Sequence, residues 1–162
     1  MTIATHRLHI RPMTTLDNEF VWNLLNSDAW IQYIGNRNIN SLADADAYID
    51  KIRNNSNVCY WTVGTKGEGE RAGLVTLIQR DYLDAFDIGF AFLPEYWGCG
   101  YAFEAVTAVL QHLSLVRPQE KIYAVTLPEN AASIKLLGKL GFELDRKLDQ
   151  PEALLLYKLQ SL

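Results

Sequence analysis

The residues able to do chemistry crowd into one stretch, Asp87-Ile-Gly-Phe-Ala-Phe-Leu-Pro-Glu-Tyr-Trp-Gly-Cys-Gly-Tyr-Ala-Phe-Glu-Ala105, which reads as a strand, a Gly-x-Gly turn and the start of a helix. Glycine at 98 and 100 clears side chains from the turn. The N–H groups from Trp97 through Gly98, Cys99, Gly100 and Tyr101 to Ala102, with the positive end of the helix, can then converge on an anion, and a phosphate-bearing ligand is the natural guest. A plain strand-to-helix turn that uses glycine for a positive φ produces the same pattern. Two phosphate-binding folds fail here. Phe103 occupies the third glycine position of the dinucleotide fingerprint, where a bulky side chain blocks close helix–strand packing, and the chain has no Gly-Lys-Ser or Gly-Lys-Thr of a P-loop.

The elements that must position this turn follow from periodicity. Leu8 and Ile10 alternate with His9 and Arg11 up to Pro12, predicting a first strand over 6–12. Asp17 is placed to cap a helix reaching Asn26, followed by a short aromatic segment with Trp30 and Tyr33, and Leu42, Ala45, Ile49 and Ile52 recur at helical spacing after Ser41. Strand-like runs at 58–64, 72–80 and 85–93, the first two joined by the loop Gly64–Arg71, predict an antiparallel meander. Beyond it strand and helix alternate. A helix carries Ala102, Ala105, Val106, Val109, Leu110 and Leu113 on one face, a strand spans 121–127, and a helix from Asn130 to Lys139 stops at Gly141. Strands at 142–148 and 153–159 follow. The expected fold is α/β (α+β): a mixed, mainly antiparallel sheet of six to seven strands, with a parallel crossover near its middle.

Composition limits the partners. A chain of 162 residues, 49% hydrophobic and 21% charged, is expected to form one domain over 1–162 with no metal or disulfide staple. A net charge of −4 argues against nucleic acid as the main partner. Cys59 and Cys99 are too few and too far apart for a zinc site, so no metal is expected and both are taken as reduced thiols of a cytoplasmic protein. The start of the sequence lacks a signal-peptide stretch and no window approaches the roughly 18 apolar residues of a membrane span, so no membrane is expected. A homodimer is left open.

Three ordered segments resemble one family. Phe90-Ala-Phe-Leu-Pro-Glu-Tyr-Trp-Gly-Cys-Gly-Tyr-Ala-Phe-Glu-Ala105 is similar to the acetyl-CoA pyrophosphate loop of the Gcn5-related N-acetyltransferases (GNAT), Gln/Arg-x-x-Gly-x-Gly/Ala. Asn130-Ala-Ala-Ser-Ile-Lys-Leu-Leu-Gly-Lys-Leu-Gly-Phe142 resembles the family's second motif, and Thr5-His-Arg-Leu-His-Ile-Arg-Pro12 the start of its RimJ/RimL-like branch. The resemblance implies a GNAT-type sheet with helices on both faces, acetyl-CoA as cofactor, and an amine acceptor, either a protein N-terminus or a small amine. The sequence departs from the pattern at Glu95, where Gln or Arg is usual, at Cys99, where this branch often has Lys, and at Gly138, where a Glu is common. With less positive charge in the loop, cofactor binding rests more on backbone N–H groups.

Acetyl transfer to an amine requires a cleft for the pantetheine arm, an oxyanion donor, a deprotonated amine and a proton for the departing thiolate. The resemblance assigns the pantetheine contacts and carbonyl polarisation to the backbone of Phe90, Ala91 and Phe92, with Gly89 and Ala91 leaving room for the cofactor. It makes Ser133 the residue that protonates the thiolate, directly or through water, and gives Asn130 a cofactor contact besides its capping role. Asp87, on the open face of the central strand, is the first candidate base and Glu95 the second. Trp30 and Tyr33 fall where the family builds its acceptor wall, with the loop Asp149–Glu152 opposite, and aromatic faces suit a cationic amine. Direct transfer in the family makes Cys99 a loop residue, not a nucleophile. The rival expectation is an acyl-CoA sensor that has lost turnover.

Overall fold

The computed structural model describes residues 2–67 and 69–160. One sheet of eight strands runs in the order β1-β2-β3-β4-β5-β6-β8-β7. Its strands are β1 (Ile3–Ala4), β2 (Leu8–Pro12), β3 (Val58–Thr65), β4 (Arg71–Gln79), β5 (Phe86–Phe92), β6 (Ile122–Thr126), β7 (Phe142–Leu148) and β8 (Leu154–Leu159). Helices α1 (Asn18–Leu25), α2 (Asp28–Tyr33) and α3 (Leu42–Arg53) precede the meander, α4 (Tyr101–Val116) joins β5 to β6, and α5 (Ala131–Lys139) joins β6 to β7. All neighbouring pairs are antiparallel except β5 and β6, the pair bridged by α4.

The alternation of each strand splits the apolar residues between two faces. On one face Leu8, Ile10, Val63, Val75, Leu77, Ile88, Phe92 and Ile122 pack with Ala105, Val106, Val109 and Leu113 of α4 and Leu137 of α5. On the other, Leu74 meets Phe20, Val21, Leu24 and Leu25 of α1, Trp30 of α2, and Ala45 and Ile49 of α3. A smaller cluster of Leu83, Ala85, Tyr123 and Leu156 closes the base of the parallel pair. Ser27, Ser41 and Asn130 each accept a hydrogen bond from the N–H three residues on, opening α2, α3 and α5.

Two expectations change. The extra strand is β1, whose two residues pair with Ile10 and His9 and are too few to show a period, and the strand expected over 6–12 begins at Leu8 because Thr5 turns the chain by accepting the Leu8 N–H. Asp17 caps nothing in α1. Its carboxylate is buried and accepts from Arg11, Arg71, Thr62 and the Thr14 N–H, tying β2, β3 and β4 to the turn before α1. In the predicted loop Gly64–Arg71, the Thr65 N–H meets the Glu70 carbonyl at 2.9 Å, while Glu68 lies outside the described residues.

Candidate active site

The middle of the sheet opens where its two parallel strands meet. β5 and β6 pair at Phe86↔Ile122 and Asp87↔Tyr123, whereas on its other edge β5 pairs with β4 along its whole length. The Leu93 N–H reaches the Ala72 carbonyl across β4 at 3.0 Å, which fixes the phase of the backbone. By the two-residue alternation, Gly89 and Ala91 aim their amide groups at β4, while Ile88, Phe90 and Phe92 aim theirs toward β6. Trp97 Nε1 donates to the Phe92 carbonyl at 2.8 Å. The Phe90 amide and the Phe92 N–H therefore lie on an edge with no strand opposite, a pair of aligned polar groups along a slot.

The glycine turn stands at the open end of that slot. Pro94–Tyr96 forms a short 3₁₀ turn in which the Trp97 N–H is taken by the Pro94 carbonyl at 3.1 Å, so Trp97 brings its side chain and not its amide. Gly98 and Gly100 adopt φ of 72° and 78°, values a side chain would strain, and Gly100 delivers the chain into α4. The first α4 amide to find a carbonyl is Glu104, on Gly100 at 3.1 Å. Among the described residues, the N–H groups of Gly98, Cys99, Gly100, Tyr101 and Ala102 have no protein acceptor, and they face the positive end of a 16-residue helix. Cys99 and Glu95 are exposed.

A residue that sequence reasoning passed over organises the turn. Arg7 donates to the Cys99 carbonyl at 2.8 Å and to Glu104 at 2.6 Å, and its guanidinium lies 4.6 Å from the centre of the Tyr101 ring. Glu104 also accepts from the Arg7 N–H and the Thr5 hydroxyl. The helix start thus carries a carboxylate neutralised by a cation from a distant part of the chain. The signal was present in the arginine of the Thr5–Pro12 segment, but a separation of 97 residues hid its partner.

Past β6 the chain turns into α5. Asn130 Oδ1 accepts the Ser133 N–H at 3.2 Å, and the half-buried Ser133 hydroxyl has no protein partner among the described residues. The hairpin residues 149–152 lie past the C-terminal end of β6, since Leu155 pairs with Thr126.

Three sequence expectations are corrected by the packing. Asp87 does not occupy an open face: its side chain is 2% exposed, with Oδ2 accepting from Arg80 Nε at 2.6 Å and Oδ1 from the Val125 N–H at 3.0 Å. Burial pushes its carboxyl up to about 6, and Arg80 and the Val125 amide offset part of that rise. Gly89 leaves no room for a ligand, because a Cβ there would come within 2.6 Å of Thr76 Oγ1 on the neighbouring strand. Trp30 is 4% exposed in the α1–α3 core, its indole N–H buried without a partner among the described residues, so it offers no face to an acceptor. Tyr33 does. It lines an open groove of about 640 Å³ with Asn26, Ser27, Asp28, Gln32 and Trp97.

On the same sheet face as Asp87, Tyr60 is hydrogen-bonded to Tyr48 at 3.4 Å, and burial, with Tyr48, drives the Tyr60 phenol upward, so it stays a neutral donor. Among the described residues no group of three His, Cys, Asp or Glu side chains could hold a metal ion, and no helix is long and apolar enough to cross a membrane.

Comparison with known proteins matches this geometry to a family. The sequence profile of the acetyltransferase (GNAT) domain matches residues 7–143. The uncharacterized N-acetyltransferase YoaA of Bacillus subtilis is 27% identical over 154 residues, covering 91% of this chain and 86% of its own. The spermidine N(1)-acetyltransferase of Escherichia coli K12 is 25% identical over 146 residues, 90% of this chain and 77% of its own. The solved structure of RimL, a ribosomal L7/L12 alpha-N-protein acetyltransferase in complex with coenzyme A, superposes with a TM-score of 0.85 at 15% identity, covering 98% of this chain and 97% of that one.

Proposed function

Because this chain belongs to the GNAT acetyltransferase family and is by that membership an N-acetyltransferase, we propose that it carries an acetyl group from acetyl-CoA to the N-terminal amine of a protein or peptide. The observation that carries the cofactor reading is the alignment of two features. Among the described residues, a strand edge with no partner runs from Phe90 to Phe92, and it ends at a turn whose amides from Gly98 to Ala102 lack protein acceptors. An extended pantetheine arm pairs with such an edge as a strand would, and a pyrophosphate satisfies such a turn without a lysine or arginine. Coenzyme A is also the ligand named in the RimL structure.

In this reading the amine enters through the groove beside Tyr33 and Trp97, past the exposed Asp28, and attacks the thioester carbonyl. The new C–N bond forms as the C–S bond breaks, the Phe90 or Phe92 N–H holds the oxyanion, and the Ser133 hydroxyl gives the thiolate its proton and regains one, through water, from the newly acylated nitrogen. Both oxygens of Asp87 are already engaged. The proton of the ammonium therefore passes to water, with the exposed Glu95 as the carboxylate of the loop.

A polyamine acceptor is the second reading. It is favoured by the spermidine N(1)-acetyltransferase match over 90% of this chain and by a groove that joins Asp28 to two aromatic walls, a lining that suits a cation. Calorimetric titration with acetyl-CoA, followed by thiol release over a panel of N-terminal peptides and polyamines, tests the whole. Micromolar cofactor binding is expected, with Gly98→Arg weakening it at least about 100-fold, because φ of 72° and the loss of amide access both oppose the side chain. Absence of binding at millimolar acetyl-CoA would overturn the reading. Cofactor binding without release on any amine would assign the domain to acyl-CoA sensing.

A further inference from the structure

We infer that Asp87 is a positioning residue whose carboxylate ends the pairing of β5 with β6 and so holds the cofactor slot open. The inference rests on the acetyl-CoA reading above.

In a parallel ladder a residue bonds to the neighbours of its partner, so the pair Asp87↔Tyr123 places the Tyr123 amide between Phe86 and Ile88. The next rung would send the Val125 N–H to the Ile88 carbonyl. It goes instead to Asp87 Oδ1, at 3.0 Å. The side chain of one strand has taken the place of its own backbone at the point where the two strands separate.

Three further features hold the wedge in place. Arg80, just beyond the end of β4, grips Oδ2 at 2.6 Å, so the carboxylate cannot swing away from the apex. Gly89, two residues on along the same face, has Thr76 Oγ1 where a side chain would stand, so β5 stays paired with β4 along its whole length. Tyr123 and Leu156 pack with Leu83 and Ala85 under the base of the fork. Beyond the wedge, Phe90 and Phe92 keep their amides free for a ligand. Without it, β6 can zip one rung further and narrow the slot from its closed end.

Wedge and general base make opposite demands on the side chain. A base needs a carboxylate, whereas the contact with the Val125 N–H needs only an oxygen at Oδ1, which asparagine also supplies. The asparagine Nδ2 cannot accept from Arg80, so Asp87→Asn keeps the wedge contact but loses the ion pair, a loss that thermal melting reads separately. The test is steady-state kinetics and coenzyme A titration of the wild type, Asp87→Asn and Asp87→Ala, each first shown to be folded by thermal melting. The wedge predicts that Asp87→Asn keeps the dissociation constant for coenzyme A within about 3-fold and kcat within about 5-fold, with the acid limb of its pH profile unchanged. It predicts that Asp87→Ala weakens coenzyme A at least about 30-fold. A fall in kcat of about 100-fold or more in Asp87→Asn, with coenzyme A affinity unchanged and the acid limb lost, would overturn it. So would Asp87→Ala with wild-type coenzyme A affinity. If Asp87→Ala does not fold, the kcat and affinity of Asp87→Asn alone decide. Failure of the wild type to bind coenzyme A is a different outcome, and it removes the cofactor reading itself.

Discussion

Two buried aspartates anchor opposite halves of the sheet, and they are satisfied to different degrees. Asp17, fully buried beside β2, β3 and β4, is held by two arginines at 2.7 Å, a threonine hydroxyl and a backbone amide. Asp87, at the fork between β5 and β6, has one arginine and one amide. Burial raises both carboxyls. For Asp17 it is outweighed by the bonds from Arg11, Arg71 and Thr14, leaving that carboxyl at about 2, while Asp87 is left at about 6. The difference separates a carboxylate satisfied by two cations from one left with a single cation at the fork of the sheet.

Removing the better-satisfied charge should do the greater damage to the fold. Asp17→Ala strands Arg11 and Arg71 beside an empty, buried site, and a loss of about 3–5 kcal/mol is expected in urea-monitored unfolding. Coenzyme A affinity of the protein that remains folded should be unchanged, because Asp17, in the turn before α1, bonds to residues of β2, β3 and β4 and to none of β5 or β6. A loss below about 1 kcal/mol would break the comparison at once.

The partners sharpen it from the other side. Arg71→Met leaves Asp17 with Arg11, so the expected loss is about 1 kcal/mol. Arg80→Met leaves Asp87 with no cation at all, and a buried carboxylate then either stays charged at a cost of about 3 kcal/mol or takes up a proton. Unfolding curves at pH 8 distinguish them, and equal losses would show that Arg11 does not compensate for Arg71 and that the two sites are equally dependent on each arginine.

The fold was more legible than the site, for a physical reason visible in these same residues. Leu8, Ile10, Ala105, Val109 and Leu137 announce their faces because apolar burial repeats along the chain. The Gly98–Gly100 turn was readable for a similar reason: its backbone demand is local, and glycine is the residue that meets it. Asp17, Asp87 and Trp30 were misplaced because their partners are remote or because burial depends on how deep the packing is. Arg71 lies 54 residues from Asp17 and Val125 38 residues from Asp87, separations that leave no periodic trace. Arg7 escaped notice in the same way, and Asp17 at a helix start satisfied a capping pattern that its arginines then overrode.

Titration should set the two carboxylates against each other. The Asp17 carboxyl is lower in the folded state than its ordinary 3.8, so its stabilisation is complete above that value and lost as pH falls through about 2, a change of about 2 kcal/mol. Asp87 is raised, so the folded protein binds its proton more readily than the unfolded chain does. Its contribution falls as pH rises from about 4 to about 6 and is level outside that window. Arg80 and the Val125 amide face Asp87 directly, and Tyr82 lies behind the Arg80 guanidinium at 5.9 Å. Unfolding free energies measured from pH 3 to pH 8 should therefore flatten between 4 and 6 in Asp87→Asn and keep that slope in Arg71→Met. An unchanged slope in Asp87→Asn would show that another group titrates there.

The smallest test asks whether the surplus of donors around Asp17 matters one bond at a time. The Thr62 hydroxyl donates to Asp17 Oδ2 at 3.1 Å from the middle of β3, where the residue is buried. Thr62→Val keeps the β-branched shape and removes one of several donors, so the carboxylate is left with both arginines and the Thr14 amide. A single hydrogen bond to a charged group contributes about 1.5–3 kcal/mol, but redundancy here should reduce the loss to about 1 kcal/mol. Because that bond favours the ionised carboxyl, the loss should shrink as pH falls toward 2, giving a pH-dependent difference from the wild type. A loss constant across pH 2 to 7 would mean that the substitution acts through packing in β3, and that the charge on Asp17 is set by its arginines alone.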